Sequence, residues 1–199
     1  MGLFNWAAPL VHRYGQRWTD GDVDAIATWL RPYLSAECPE GCRILDVGGG
    51  GGVLAQHLHA VLGAHVTVLD PSPEMLRYVP EVGPVRAALG RAEAIPAENA
   101  TFDAVIVTDA FHHFSDQPAA ISEFARVVRP GGGVIVLDLD PRPAFMRLVR
   151  LAEKAVGEPG AFKTPEQLCK LMAEHGVSGT CVPGPGATYR FVGTVTAGD

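Results

Sequence analysis

The sequence predicts an α/β protein: a single domain with a central, mostly parallel seven-stranded sheet, helices on both faces and an antiparallel C-terminal hairpin. Three observations carry this. From residue 42 onward, short apolar β-rich runs alternate with helical patterns, as parallel strands joined by crossover helices do. The runs at 65–69, 102–107 and 133–139 are almost continuously apolar, which suits strands buried on both faces. The tail instead holds two strand-like runs around Pro183-Gly184-Pro185-Gly186, too short a connection for a crossover, so that pair is expected to be antiparallel.

The elements follow in order. Asp20–Ser35 reads as a helix ahead of the sheet, within a segment 1–36 expected to form an N-terminal helical lid or cap on a core spanning 42–199. Strands are expected at Arg43–Val47, His65–Leu69, Val85–Leu89, Phe102–Val107 and Gly133–Leu139. Val53–Leu62 is a helix with Gly63 as its C-cap, and Ser72-Pro73 opens a short one. A further helix runs from Gln117 to about Val128, where Pro130 and three glycines stop it. Thr164-Pro165-Glu166-Gln167 is a capping box that starts a helix reaching about His175. The last strands are Val177–Val182 and Thr188–Thr196.

Composition removes several classes. Hydrophobic residues at 47% and charged residues at 19% describe a globular chain, not a disordered one. A net charge of −6 argues against a protein that grips nucleic-acid phosphates. No apolar run is long enough to span a membrane. The four cysteines lack the two close pairs of a zinc ribbon: Cys38 and Cys42 form one, but Cys169 and Cys181 do not. No metal is expected, and Cys42 reads as a buried thiol at the start of a strand. The first residues show neither an early basic residue nor a cleavable apolar run. With thiols expected reduced, the cytoplasm is the expected location.

The chemistry gathers around Arg43-Ile44-Leu45-Asp46-Val47 and the five glycines Gly48 to Gly52. Glycines between a strand and a helix make a backbone turn that a ligand can approach closely, at a helix end that favours negative charge. Gly50-x-Gly52-x-x-Ala55 also fits a relaxed dinucleotide fingerprint, so a nicotinamide oxidoreductase is one alternative. Its register starts two residues late, however, and Asp46 precedes the turn. A carboxylate beside a pyrophosphate is repulsive by about 1 to 4 kcal/mol at ~4 Å. Beside an ammonium it is attractive. The turn suits a ligand with an amino-acid ammonium and no phosphate, such as S-adenosylmethionine.

The stretch RILDVGGGGG resembles the first motif of class I S-adenosylmethionine-dependent methyltransferases, Asp-x-Gly-x-Gly-x-Gly, at Asp46, Gly48, Gly50 and Gly52. VTVLDPSPEML is similar to that family's second motif, in which the acidic residue, here Asp70, holds both ribose hydroxyls. GRAEAIPAENATFDAVIVTDAFHHF and ISEFARVVRPGGGVIVLD resemble its later motifs, especially in the small-molecule, ubiquinone- and menaquinone-methyltransferase-like branch. The resemblance is strong over about 42–140 and looser in the tail. It implies a Rossmann-like sandwich, S-adenosylmethionine as cofactor with S-adenosylhomocysteine as product, and a cofactor site built from Asp46, Gly48, Gly49, Gly50, Gly52, Asp70, Pro71, Met75, Arg91, Ala92, Glu93 and Asp109. Where the family carries an Asp that accepts from the adenine amino group, this chain has Arg91, which has no acceptor. Adenine is then expected to rest on backbone near Ala92, with Arg91 or Glu93 stacking on the ring.

Acceptors in open α/β sheets sit beyond the carboxyl ends of the strands. Candidates there are Asp109, His112 and His113 after the fourth strand, with Asp138 and Asp140, read as caps, after the fifth. His113 is the preferred base, since a neutral imidazole accepts a proton near pH 7. His112 and Asp109 are the other catalytic candidates. His57 and His59, two apart on a helix, face different ways and are not a metal pair. Phe4, Trp6, Tyr14 and Trp18 pack as core or close as a lid. Few insertions separate the strands, so a small organic acceptor is expected, with no nucleic-acid partner and a monomer or homodimer. A non-catalytic S-adenosylmethionine-binding protein of the same fold is the alternative.

Overall fold

The computed structural model describes residues 18–34, 41–80, 83–155 and 160–196. In chain order they form α1 (Asp20–Leu30), β1 (Arg43–Val47), α2 (Val53–Leu62), β2 (His65–Asp70), α3 (Pro73–Leu76), β3 (Val85–Leu89) and β4 (Phe102–Thr108). There follow α4 (Gln117–Val127), β5 (Val128–Leu139), α5 (Met146–Ala155), α6 (Pro165–Glu174), β6 (Val177–Pro183) and β7 (Thr188–Val195). Phe4, Trp6, Tyr14 and Cys38 lie outside the described residues, as does most of the expected N-terminal cap.

One seven-stranded sheet runs β3-β2-β1-β4-β5-β7-β6. The first five strands are parallel, and β7 is antiparallel to both β5 and β6. Strand alternation sends side chains to two faces. Ile44, Val66, Val68, Ala104, Ile106 and Ile135 meet Ile26 and Leu30 of α1 and Leu54 and Leu58 of α2. Val105, Val107, Val134, Val136 and Phe191 meet Ile121 and Phe124 of α4 and Leu168 and Met172 of α6. In α1 the buried residues Val23, Ile26, Ala27 and Leu30 recur at helical spacing, so one stripe of a polar helix closes the first face.

Local chemistry sets the ends. Gly63 terminates α2 in the left-handed conformation with φ +68°. The Thr164–Gln167 capping box is formed in both directions, as its spelling requires. Three expectations need correction. Asp20–Ser35 is not one helix: Pro32 has no N–H to donate, so the chain tightens into a 3-10 turn at Arg31–Tyr33. The fifth strand begins at Val128, not Gly133; Val128 pairs with Phe102 ahead of a register shift that absorbs Pro130 and Gly131. Cys42 is buried, but it is disulfide-bonded; Cys169 and Cys181 are the free thiols. Their sulfurs touch at 2.7 Å between α6 and β6. Helix α5 carried no recognised signal in the sequence. No helix among the described residues is long and apolar enough to cross a membrane.

Candidate active site

Sheet order reverses between β1 and β4, so the loops leaving these neighbouring strands diverge and open a crevice at their carboxyl ends. The glycine turn fills one side. Gly48 has φ +74° and donates its N–H to Leu69 O at 2.7 Å; a Cβ there would fall 2.6 Å from Ala110 Cβ, beyond β4. Gly50 has φ +54° and donates to Asp70 Oδ2 at 3.0 Å, with Met75 Cε 2.8 Å from where a Cβ would stand. At Gly49 a Cβ would meet Asp46 Oδ2 at 2.5 Å. Gly52 forms the N-cap of α2. The turn is a cradle of bare backbone, closed by side chains that have room only because glycines face them.

Asp46 lies beneath that cradle, fully buried, and neither carboxylate oxygen has a hydrogen-bond partner among the described residues. Burial, then the nearby charge of Asp70, pushes its pKa up to about 7. An orphaned buried carboxylate wants a cation. Asp70 ends β2 and accepts from Gly50 N–H and, at 2.9 Å, from Ser72 N–H. Its pKa is also raised, because burial outweighs those two bonds. Two accepted bonds leave lone pairs free on both oxygens, which is what a vicinal diol needs. These groups fit an amino-acid ammonium at Asp46 and a ribose at Asp70.

The remaining cofactor candidates are spread around this pair. Met75 is buried against the turn and Pro71 is exposed beside Asp70. Ala92 is buried. Arg91 and Glu93 are committed elsewhere: Arg91 Nη2 donates to Ser115 Oγ at 2.8 Å and its Nε faces Glu93 Oε2 at 3.3 Å. Glu93 in turn accepts from Ser115 N and Asp116 N at 2.8 and 3.2 Å, ordering the entrance to α4.

Past β4, Asp109 takes the left-handed conformation at φ +52° and donates its N–H to Leu137 O. Asp is among the few residues that tolerate this region, and a strained residue at a strand end marks a built corner. The 3-10 turn Phe111–His113 follows. His112 is 2% exposed; its Nδ1 lies 2.5 Å from Asp138 Oδ1, and its Nε2 faces Glu153 Oε1 of α5 at 3.8 Å. Phe162 stacks on its ring at 4.4 Å. Asp138 is therefore the partner of His112, not a cap. Asp140 accepts from Arg142, in keeping with a local role. Donor atoms of His112, His113 and Glu153 lie within 4.8 Å of one another, as do those of Asp109, His112 and Asp138. Proton relays and metal sites share that spacing; the His112–Asp138 contact is its hydrogen-bonded form.

The two histidines titrate in opposite directions. Burial works to lower the pKa of His112, but the hydrogen bond and charge of Asp138, with Asp109 and Glu153, outweigh it and raise the pKa. His113 sits 4.1 Å away, ring to ring. Burial, then the neighbouring His112, lowers its pKa to about 4 against a smaller pull from Asp138. His113 is neutral across the physiological range.

A cleft of about 400 Å³ lies beside this cluster, lined by Trp18, Trp29, Asp109, Asp138, Tyr189 and Arg190 among others. Arg190 stacks over Trp29 at 4.6 Å. Trp18 Nε1 and the Tyr189 hydroxyl are buried without partners among the described residues. Trp29, Glu153, Phe162, Tyr189 and Arg190 were missed in the sequence, since each reaches the site from an element with no motif of its own.

A Rossmann-like sheet whose switch point carries a glycine turn between two buried aspartates defines a class I methyltransferase dependent on S-adenosylmethionine. Comparison with known proteins agrees. Residues 45–136 match the model of a methyltransferase domain. The chain is 32% identical over 181 residues to the ubiquinone biosynthesis O-methyltransferase of Xanthomonas axonopodis pv. citri, covering 81% of this chain and 75% of that one. It is 42% identical over 122 residues to an uncharacterised methyltransferase of Mycobacterium tuberculosis, covering 60% of this chain and 47% of the other. Its fold matches an S-adenosylmethionine-dependent methyltransferase of Thermotoga maritima, described as a possible histamine N-methyltransferase, with TM-score 0.71 at 20% identity over 97% of this chain and 98% of that one. The chain belongs to the S-adenosylmethionine-dependent methyltransferase family and is an enzyme of that family.

Proposed function

We propose that this enzyme methylates a small organic acceptor held in the cleft beyond β4 and β5, by in-line displacement. The observation that carries the proposal is the buried, unpartnered carboxylate of Asp46 under the glycine cradle, near the charge of Asp70. In this reading Asp46 and the backbone of Gly48–Gly52 hold the cofactor's amino-acid end, Asp70 its ribose, and Met75 and Ala92 pack around the rest. When bound there, S-adenosylmethionine supplies a methyl group already activated on a sulfonium. The chain's own part is orientation, and a base where the nucleophile bears a proton. The aromatic walls of Trp18, Trp29 and Tyr189 suit a flat or apolar acceptor. The O-methyltransferase name of the Xanthomonas relative favours a hydroxyl nucleophile. His113, neutral and part-exposed, is then the base.

The test is transfer of radiolabelled methyl from S-adenosylmethionine to a fractionated metabolite extract. Label in a low-mass organic product is expected. Label confined to protein or nucleic acid would overturn the acceptor class.

Two substitutions probe the cofactor site. Asp70→Ala is expected to weaken S-adenosylhomocysteine binding by about 1.5 to 3 kcal/mol, the range for hydrogen bonds to a charged group. Calorimetry that finds wild-type affinity would place the ribose elsewhere. Gly50→Val puts a branched residue where φ is +54° and pushes on Met75 Cε. Because that neighbour is the flexible tip of a side chain, the chain should still fold, with native circular dichroism, yet lose cofactor binding. Normal binding by the variant would mean that the turn cradles no ligand.

A further inference from the structure

We propose that α5 and the residue before it form a docking face for an anionic lipid surface, on which the protein lies without spanning it. The large apolar side chains exposed elsewhere in the described residues stand apart: Val61, Leu89 and Val182 belong to three different elements and Tyr78 to the turn after α3. Phe145, Leu148 and Leu151 do not. They follow one another at three-residue steps and are 54%, 71% and 63% exposed. On a helix that step brings them to one side.

The other two sides of α5 are accounted for. Met146 is buried, Val149 is half-buried, and Glu153 turns inward to face His112 at 3.8 Å. Arg147, Arg150 and Lys154 occupy the third side, all exposed. None of the three has an ion-pair partner among the described residues, and together with Leu151 and Gly160 they line a shallow groove of about 340 Å³. Because Glu153, the acid of the helix, is turned inward, the outer surface of α5 presents three cations next to an unpartnered apolar strip. A protein whose net charge is −6 has concentrated positive charge there.

That pairing chooses the occupant. An apolar strip alone would suit a second copy or a protein partner as well as a lipid. A strip flanked by a row of unpaired cations matches the anionic headgroup layer, where the apolar residues enter the acyl boundary and the cations meet phosphates. Each cation near such a surface strengthens binding by about fivefold. The geometry also ties docking to the catalytic end of the sheet, since Glu153 links the same helix to His112. Docking on α5 holds the His112 cluster and its cleft close to the lipid surface. The inference stands on the helix alone and does not depend on the acceptor assignment.

The experiment is co-sedimentation of the full chain with phosphatidylcholine vesicles, with and without one-third phosphatidylserine, at low salt and at ~0.5 M salt, where charge attraction is screened. Binding is expected only to the anionic vesicles, weakening with salt. Arg147→Gln with Arg150→Gln should lower it roughly 20-fold, and Leu148→Gln with Leu151→Gln about tenfold or more. Both pairs are on the surface, so each variant should keep wild-type S-adenosylhomocysteine affinity, which certifies its fold. No binding by the wild-type chain would overturn the proposal. So would binding that survives the leucine pair, which would place the contact elsewhere. A wild-type dimer that the leucine pair dissolves, with no vesicle binding, would assign the face to a second copy instead.

Discussion

Replacing Asp46 by Asn should make the cofactor-free protein more stable and at the same time cripple cofactor binding. Asp46 is fully buried with both oxygens unpartnered, and its pKa is pushed up to about 7 from an ordinary value of 3.8. In the folded state the proton is kept to higher pH than in the unfolded chain. Between pH ~4 and ~7 the folded state therefore holds more protons, and stability falls as pH rises through that window, levelling off above it. The ionised carboxylate costs on the order of 4 kcal/mol above pH ~7. Asn resembles the neutral form, so the variant lacks this slope. Its melting temperature should exceed that of the wild type by a margin that opens between pH ~4 and ~7 and reaches on the order of 10 °C at pH 8. The same change removes the charge that the cofactor's ammonium requires. Wild-type affinity for S-adenosylhomocysteine should climb with pH to about 7, whereas that of the variant should be low and flat. Parallel melting profiles for the two proteins would show that Asp46 ionises without penalty, and the case for an awaited cation would fall.

His113→Ala should lower turnover by roughly 10² to 10⁴ with a hydroxyl acceptor, the usual contribution of a general base. S-adenosylhomocysteine affinity should barely change, because the proposed role places the residue against the acceptor and not the cofactor. The wild-type pH profile offers a second check. A histidine at its ordinary pKa would lose activity below pH ~6.5. Burial and the neighbouring His112 hold His113 at about 4. At saturating cofactor, kcat/KM should persist through weakly acidic pH and fall only as His113 protonates near that value. The alanine variant should lack that limb. An unchanged rate with a hydroxyl acceptor would leave His113 a structural residue.

How far these sites were legible differs residue by residue. Asp46, Gly48, Gly50 and Asp70 lie within 25 residues of one another, on a strand, a turn and the next strand. Their meeting follows from one β-α-β unit, so the string alone places them together. The Thr164–Gln167 capping box and the Gly63 terminator were readable for the same reason, since each acts over a few residues. The acceptor side was not. Asp138 read as a cap because its local neighbours allow that role; only the pairing of β4 with β5 delivers it to His112, 26 residues away. Nothing near Arg91 or Glu93 announced that both would be spent on Ser115 and its neighbour.

The sequence by itself determined the succession of the strands and of every helix but α5, the two faces of the sheet and the glycine turn after β1. Those properties depend on periodicity, backbone allowance and short-range capping, which are written in consecutive residues. Tertiary structure alone decided which histidine is held by an acid and which stays neutral, which aromatics wall the cleft, and that α5 leaves an apolar strip uncovered. Burial and Coulomb interactions depend on distance in space, and here the deciding partners come from β5, α5 and β7, far along the chain from the groups they tune.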